Sequence, residues 1–338
     1  MDFSTFQSLL EKAITGRQKK DRVSHMTLLD PAHESAFRLF NGFAEGHSDL
    51  VLDIYARTLV IHNYADDPTQ NRSLIDETIR HLQNTMTWLR AGVLKQRHGA
   101  TQEQKQGSLL FGDMPDTKIK EHGVWYALNL TMNRDASFYL DTRNLRKWLI
   151  ENMHDKTVLN TYAYTGSFGV AAMAGRASRV IQVDHSRRFL DLARQSYALN
   201  GFPVNPKDFT VQDFFPTISR FKHAKQSFDC VILDPPFFST TSKGRVDQEH
   251  EGERLINKVR PLVNDGGWLV AINNALYVSG RDYMNTLEKL CRDGYMSIRE
   301  LIPVPEDFVG YDLVGKPITD PAPFNHSTKI AILDMKRK

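Results

Sequence analysis

Residues 157–184 read TVLNTYAYTGSFGVAAMAGRASRVIQVD, and this stretch decides the fold. Thr157–Tyr162 is a short run of strand-forming residues, and Phe168–Ala174 is a run of small residues suited to a helix. Arg179–Asp184 is a second strand pattern. Strand, turn, helix and strand in so short a span make a βαβ unit, which demands a parallel sheet. The same alternation continues downstream. Arg187–Asn200 reads as a helix, Phe209–Gln212 and Phe228–Leu233 as strands, and Asp247–Val263 as a helix. Gly267–Ile272 reads as a strand and Tyr283–Asp293 as a helix. Met296–Ile302 and Thr328–Met335 form two last strands joined by a Pro-rich excursion. The predicted class is α/β, an open sheet of seven strands with helices on its faces.

Upstream the texture differs. Residues 1–44 read as helical, with Phe3, Phe6, Leu9, Leu10 and Ile14 at helical spacing. Asp49–Tyr55 and Thr58–Tyr64 read as two strands around a turn at Ala56-Arg57. A helix over 71–90 carries Leu74, Ile75, Ile79 and Leu82 on one face, 96–106 is polar enough for a loop, and Val124–Thr131 is a short strand. A smaller α+β domain over 1–133 and a larger α/β domain over 134–338 follow from this change of pattern.

Bulk properties restrict the function classes. With 41% hydrophobic and 25% charged residues the chain is an ordinary globular protein. No apolar run approaches the ~20 residues needed to cross a bilayer, and the amino terminus lacks a signal peptide's apolar core. Two cysteines, Cys230 and Cys291, make no disulfide framework and offer no metal-ligand spacing, so a cytoplasmic protein without a metal is expected. A net charge of +3 permits a nucleic-acid partner without requiring one; the basic clusters lie at Arg17–Arg22 and Lys336–Lys338. Nothing in the sequence fixes the oligomeric state.

In an open α/β sheet, ligands bind beyond the carboxyl ends of the strands. Four groups collect there. The first strand ends at Asn160 and turns through Tyr164, Thr165 and Gly166 into a helix, where glycines let backbone approach a ligand. Asp184 ends the second strand, placed to accept from two ribose hydroxyls. Asp213 follows the third strand, placed for an adenine amino group, with Phe214 beside the ring. Asp234-Pro235-Pro236-Phe237-Phe238 closes the fourth. Two prolines forbid continued pairing and stiffen the backbone, which suits holding a carbonyl and an aromatic face against a planar substrate. A nicotinamide dehydrogenase would show Gly-x-Gly-x-x-Gly. Here the first glycine is missing and the spacing does not suit a pyrophosphate, as a phosphate-free nucleoside cofactor allows.

Val158–Gly169 with Asp184, Asn200-Gly201, Asp213 and Asp234–Phe238 resembles the class I S-adenosylmethionine (SAM)-dependent RNA methyltransferases. That group contains the bacterial large-subunit ribosomal RNA cytosine-C5 and guanine-N7 enzymes. Residues 136–146 are similar to the family's Gly-Phe-Phe-Leu-Asp-x-Arg-x-x-Arg element, and 45–55 to the strand and turn preceding its catalytic domain. The resemblance implies a Rossmann-like methyltransferase sheet and SAM as cofactor. It implies Phe138, Asp141, Arg143 and Tyr164 at the methionine end, with Thr165 and Gly166 in the cofactor turn. Asp184 would hold the ribose, and Asp213 with Phe214 the adenine.

Two departures from the family carry information. Some members have an amino-terminal all-β PUA module, and the helical reading of 1–44 excludes it here. Cytosine-C5 members need a cysteine after the fifth strand, since C5 is a poor nucleophile until a thiolate adds at C6. The corresponding segment is Leu269–Ala275, which contains Asn273 and Asn274 but no cysteine. The amide pair is like the guanine-N7 members, whose target already carries its lone pair. The expected function is thus SAM-dependent methylation of a base nitrogen in ribosomal RNA. Asp234, Pro235, Phe237, Phe238 and Asn273 or Asn274 would line up the target. A cytosine-C5 enzyme, a protein or small-molecule methyltransferase, and a non-catalytic SAM-binding RNA-associated protein remain as alternatives.

Overall fold

The computed structural model describes residues 1–21, 25–309 and 323–337. Among these, the chain divides into two compact units, one of residues 1–143 with 305–309 and the other of residues 144–304 with 323–337. The break falls at the head of a helix within the 134–338 span expected to form one domain.

The first unit opens with α1 (Phe3–Arg17), which Asp2 caps by accepting the Thr5 N–H at 2.8 Å. A five-stranded sheet follows in the order β1 (Ala36–Asn41), β2 (Leu50–Tyr55), β3 (Thr58–Asn63), β4 (Ala91–Gln96), β5 (Ser108–Phe111). β1 to β3 form an antiparallel meander, and α2 (Arg72–Thr85) carries the chain across to the parallel β4. Phe6, Leu10, Phe37, Leu52, Ile75 and Leu82 build its core. The helical reading of 1–44 holds for α1 and fails at β1. The polar stretch read as a loop contains α3 (Gln102–Gln106), started by a capping box between Thr101 and Gln104. β6 (Lys118–Glu121) and β7 (Val124–Ala127) pair as a hairpin.

The second unit is the predicted α/β body. After α4 (Arg143–Asn152), its strands are β8 (Thr157–Asn160), β9 (Arg179–Asp184), β10 (Phe209–Val211) and β11 (Phe228–Leu233). A separate two-stranded hairpin, β12 (Phe238–Thr241) and β13 (Gly244–Asp247), precedes β14 (Val263–Asn273), β15 (Met296–Ile302) and β16 (Lys329–Met335). The seven-stranded sheet runs β10-β9-β8-β11-β14-β16-β15. β16 pairs antiparallel with both β14 and β15, and the other pairings of this sheet are parallel. Helices α5 (Ser167–Ala174), α6 (Arg187–Leu199), α7 (Phe214–His223), α8 (Gly252–Val259) and α9 (Gly280–Cys291) connect the strands. Val158, Val180, Cys230, Val270 and Ile332 pack on one face of the sheet; Leu159, Val183, Val231, Leu269 and Leu333 pack on the other. Burial on both faces explains why these strands read as continuous apolar runs. The order reverses at β8, so the crevice for a ligand lies above the carboxyl ends of β8, β9 and β11.

The middle of the expected Pro-rich excursion, 310–322, falls outside the described residues, as do Arg22 and Lys338 of the two basic clusters.

Candidate cofactor and substrate site

The turn leaving β8 laces three strand ends together. Thr161 donates to the Ile232 carbonyl through N–H (3.1 Å) and hydroxyl (2.8 Å), and Ala163 N–H donates to Val183 O at 2.8 Å. Tyr164 and Gly166 both take left-handed backbone, φ +48° and +79°. A Cβ on Gly166 would stand 2.4 Å from the Ala193 Cβ, so only glycine fits that step into α5. Thr165 is buried between them. Gly169, read as clearance for a ligand, instead faces Gln182, whose side chain a Cβ there would meet at 2.4 Å. Gln182 is fully buried and accepts from Asn160 Nδ2 at 3.2 Å. No sequence pattern flagged Gln182, a polar residue inside a buried strand.

Asp184 stands at the carboxyl end of β9. Its Oδ2 accepts the Tyr164 N–H (2.9 Å) and its Oδ1 the Ser186 N–H (2.8 Å). Each oxygen keeps acceptor capacity for a ligand hydroxyl, since an ionised carboxylate has about four lone-pair sites. Burial raises the pKa of this group, against the pull of the two N–H donors and of His185. Asp213 caps α7 through Oδ1 to the Phe215 N–H, 3.0 Å. Phe214 is buried and stacks on Tyr162, centroids 4.7 Å apart and planes 23° from parallel. The Tyr162 hydroxyl is buried without a hydrogen-bond partner, and burial together with the Asp213 charge pushes its pKa upward.

These groups fit a nucleoside cofactor. A carboxylate fixed by backbone donors suits a ribose, while an orphaned phenol beside a second carboxylate supplies what the polar edge of adenine needs. Tyr162 was missed by the sequence reading because it was counted as the last residue of a strand.

Phe138, Asp141 and Arg143 belong to the first unit. Phe138 is buried against Tyr126, centroids 5.0 Å apart, and Asp141 lies in the 3-10 turn Leu140–Thr142. Arg143 has no exposure. Its Nη1 and Nη2 grip the two oxygens of Asp307 at 2.8 and 3.0 Å, and Glu121 lies 3.7 Å from its Nε. That is an internal strut.

The Asp234–Phe238 element leaves β11 beside the end of β14. Phe237 is 39% exposed and Phe238 54%, with the Arg245 guanidinium 5.4 Å from the Phe238 ring centre. Tyr277, just past β14, is 78% exposed. These are the exposed aromatic side chains of the second unit among the described residues, and they flank two neighbouring strand ends. Asn273 is buried, with Oδ1 accepting the Ala275 N–H at 2.9 Å. Beneath Tyr277 lies a hollow of about 310 Å³ bordered by Gln248, Asn273 and Tyr283. Gln248, absent from the sequence reading, is buried and linked to the Pro235 carbonyl and to Asn274. The sequence assigns 247–263 to one helix, but α8 starts only at Gly252, and Gln248 directly follows the hairpin, which ends at Asp247.

Neither thiol is placed as a nucleophile. Cys230 sits in the middle of β11 with no exposure, and burial, then Asp229, pushes its pKa up. Cys291 is the last residue of α9, and burial raises its pKa too. Among the described residues no group of three or more His, Cys, Asp or Glu is placed to hold a metal ion, and no helix is long and apolar enough to cross a membrane.

Residues 38–313 match the family model described as S-adenosylmethionine-dependent methyltransferase. The ribosomal RNA large subunit methyltransferase I of Erwinia tasmaniensis is 29% identical, over 81% of this chain and 68% of its own. The enzyme of the same name from Enterobacter is 27% identical, over 87% and 71%. In three dimensions the SAH complex of SMU.776 superposes with a TM-score of 0.83 at 21% identity, over 99% of this chain and 82% of that one.

Proposed function

We propose, from the premise that the chain belongs to the S-adenosylmethionine-dependent methyltransferase family, that it methylates a base nitrogen of ribosomal RNA. The observation that carries the RNA reading is the exposure of three aromatic side chains, Phe237 and Phe238 after β11 and Tyr277 after β14. Aromatic faces open to solvent are surfaces on which unpaired nucleobases stack. The relatives named for large-subunit ribosomal RNA support the same substrate.

In this reading Asp184 accepts from the ribose hydroxyls of SAM, Asp213 and Tyr162 meet the adenine edge, and Phe214 backs Tyr162. Tyr164, Thr165 and Gly166 form the turn that holds Asp184 in place. Within the first unit, Arg143 fixes the segment that carries Phe138 and Asp141 through its pair with Asp307. Bound SAM supplies an electrophilic sulfonium methyl. Asp234 and Phe237 orient the base, one as acceptor and one as a stacking face, while Pro235 and Asn273 shape the loop that carries them. A nitrogen target needs its lone pair aimed and no covalent activation. Two unpaired cysteines fit the reducing cytoplasm expected from composition.

The test separates nitrogen from carbon chemistry. The double variant Cys230→Ala, Cys291→Ala should transfer methyl groups at the wild-type rate per folded molecule, with folding checked by circular dichroism. A covalent adduct with RNA containing 5-fluorocytosine, lost in that variant, would overturn the nitrogen reading and restore the C5 mechanism.

A further inference from the structure

The β12–β13 hairpin is seated on α7 through one ring. Val246 is buried in the same core cluster as Phe215. Gly244 faces the Phe215 ring so closely that a Cβ there would stand 2.4 Å from it, so a glycine is what lets the hairpin tip lie on that ring. Cations collect around this contact. The Lys258 ammonium and the Arg254 guanidinium, both from α8, stand 5.3 and 5.9 Å from the Phe215 ring centre. Lys243 and Arg245 flank Gly244 in the hairpin. Lys222 of α7 lies near Lys258, and burial, then the Lys258 charge, lowers its pKa.

Two carboxylates stand among these groups, and both are taken. Asp247 pairs with Arg245, and Glu251 with Arg254 at 2.6 Å. Glu253 turns to Lys289 of α9 at 2.9 Å, and Glu249 borders the hollow on that same side. Among the described residues Lys222, Lys243 and Lys258 have no ion-pair partner. Five cations against two carboxylates leave three uncompensated charges, as many as the net charge of the entire chain.

Neighbouring ammonium groups repel one another until an anion lies between them. On flexible stems they follow a line of anions without demanding one geometry, as contacts to a phosphate backbone do. The head of the strip decides among polyanions. Arg245 stands 5.4 Å from the ring centre of Phe238, which is 54% exposed. An open ring beside a guanidinium holds a stacked base together with its phosphate. A nucleic-acid strand uses both parts, the ring for a base and the ammonium groups for the phosphates that follow.

We infer that Lys222, Lys243 and Lys258, with Arg245 and Arg254, form a phosphate track for single-stranded RNA, leading away from Phe238 across the Phe215 contact. The track holds the strand and takes no part in the chemistry. This inference rests on the RNA reading proposed above and adds where the strand runs.

The test measures binding of the full chain to a fluorescent single-stranded RNA oligonucleotide over a salt series, and methyl transfer to purified large-subunit ribosomal RNA. The triple variant Lys222→Gln, Lys243→Gln, Lys258→Gln should bind RNA roughly tenfold or more weakly at low salt, with the slope of log affinity against log salt reduced by about two to three. Its KM for ribosomal RNA should rise by a similar factor, while kcat at saturating RNA and SAM affinity stay within about twofold. The comparison variant Lys12→Gln, Lys105→Gln, Lys207→Gln removes the same charge outside the strip and should change the slope far less. Equal losses in the two variants would show a general effect of charge and overturn the track. So would an unchanged affinity and slope in the strip variant, with methyl transfer to RNA intact, which leaves the RNA reading standing. Strip-dependent binding to phosphatidylserine vesicles or polyglutamate, without binding to RNA, would assign the strip to another polyanion. Methyl transfer only to protein or small molecules, with no RNA bound at low salt, would remove the RNA reading and the track together.

Discussion

Asp184→Ala should lower SAM affinity about a hundredfold or more in calorimetry, with the protein still folded. The carboxylate is held by the Tyr164 and Ser186 N–H groups on opposite oxygens, so its orientation is set before any ligand arrives. Hydrogen bonds to a charged acceptor contribute ~1.5–3 kcal/mol each. Two ribose hydroxyls therefore lose about 3 kcal/mol or more, which is over two orders of magnitude. Acidification should weaken binding in the same way. Burial raises the Asp184 pKa, so the ionised acceptor is lost at a higher pH than for an ordinary carboxylate. The affinity is complete well above that raised pKa and falls as pH drops through it. Normal SAM binding by Asp184→Ala, or a preference of the wild type for NADH, would contradict the pocket.

Asp307→Ala should be the most destabilising single change in the first unit. Asp307 is fully buried, and burial by itself would raise its pKa. The Arg143 guanidinium, together with the Arg38 N–H and the Arg17 charge, outweighs that and holds it below the usual carboxylate range. Its Oδ2 also accepts the Arg38 N–H at 2.9 Å. Removing the carboxylate leaves a guanidinium with no exposure that has lost its two-bond partner, with Glu121, Asp21 and the Ala36 carbonyl among its remaining neighbours. Breaking a buried pair from one side costs ~3–5 kcal/mol. For a unit of this size that corresponds to a fall in melting temperature of roughly 10 °C. Glu253→Ala, which removes the exposed pair with Lys289, should cost less than about 1 kcal/mol and serves as the comparison. Because the folded Asp307 pKa is lowered, its stabilisation is present above the ordinary aspartate pKa and is lost as pH falls through the folded value. Equal melting temperatures for the two variants would show that Asp307 is not the keystone of its network.

What the sequence made legible was the part of the molecule ruled by local periodicity. Arg179–Asp184 and Phe228–Leu233 read as strands from end to end, because burial on both faces leaves an apolar run bounded by turn residues. Asp184 and Asp234 then follow from where those strands stop. β1 was hidden by a bulge. Its register slips between Arg38 and Phe40, so Phe37 and Phe40 are both buried at a spacing that mimics a helix. The β12–β13 hairpin has few apolar residues to alternate, so no strand is read there and only its last residue, Asp247, falls in the expected helix. Gln248 and Tyr162 escaped for another reason. Their significance lies in partners far along the chain, Pro235 and Asn274 for one and Phe214 for the other, which no local pattern encodes. Arg143 was visible as a residue, but its burial and its pairing with Asp307 were not.

The central claim is that this chain moves a methyl group from SAM to a base of ribosomal RNA. Its most direct test is incubation of the purified protein with methyl-labelled SAM and large-subunit ribosomal RNA, followed by separation of RNA from protein and small molecules. Label is expected in the RNA fraction, dependent on Asp234 and resistant to removal of both cysteines. Label confined to protein or to small molecules, with SAM bound and the RNA unmodified, would contradict it.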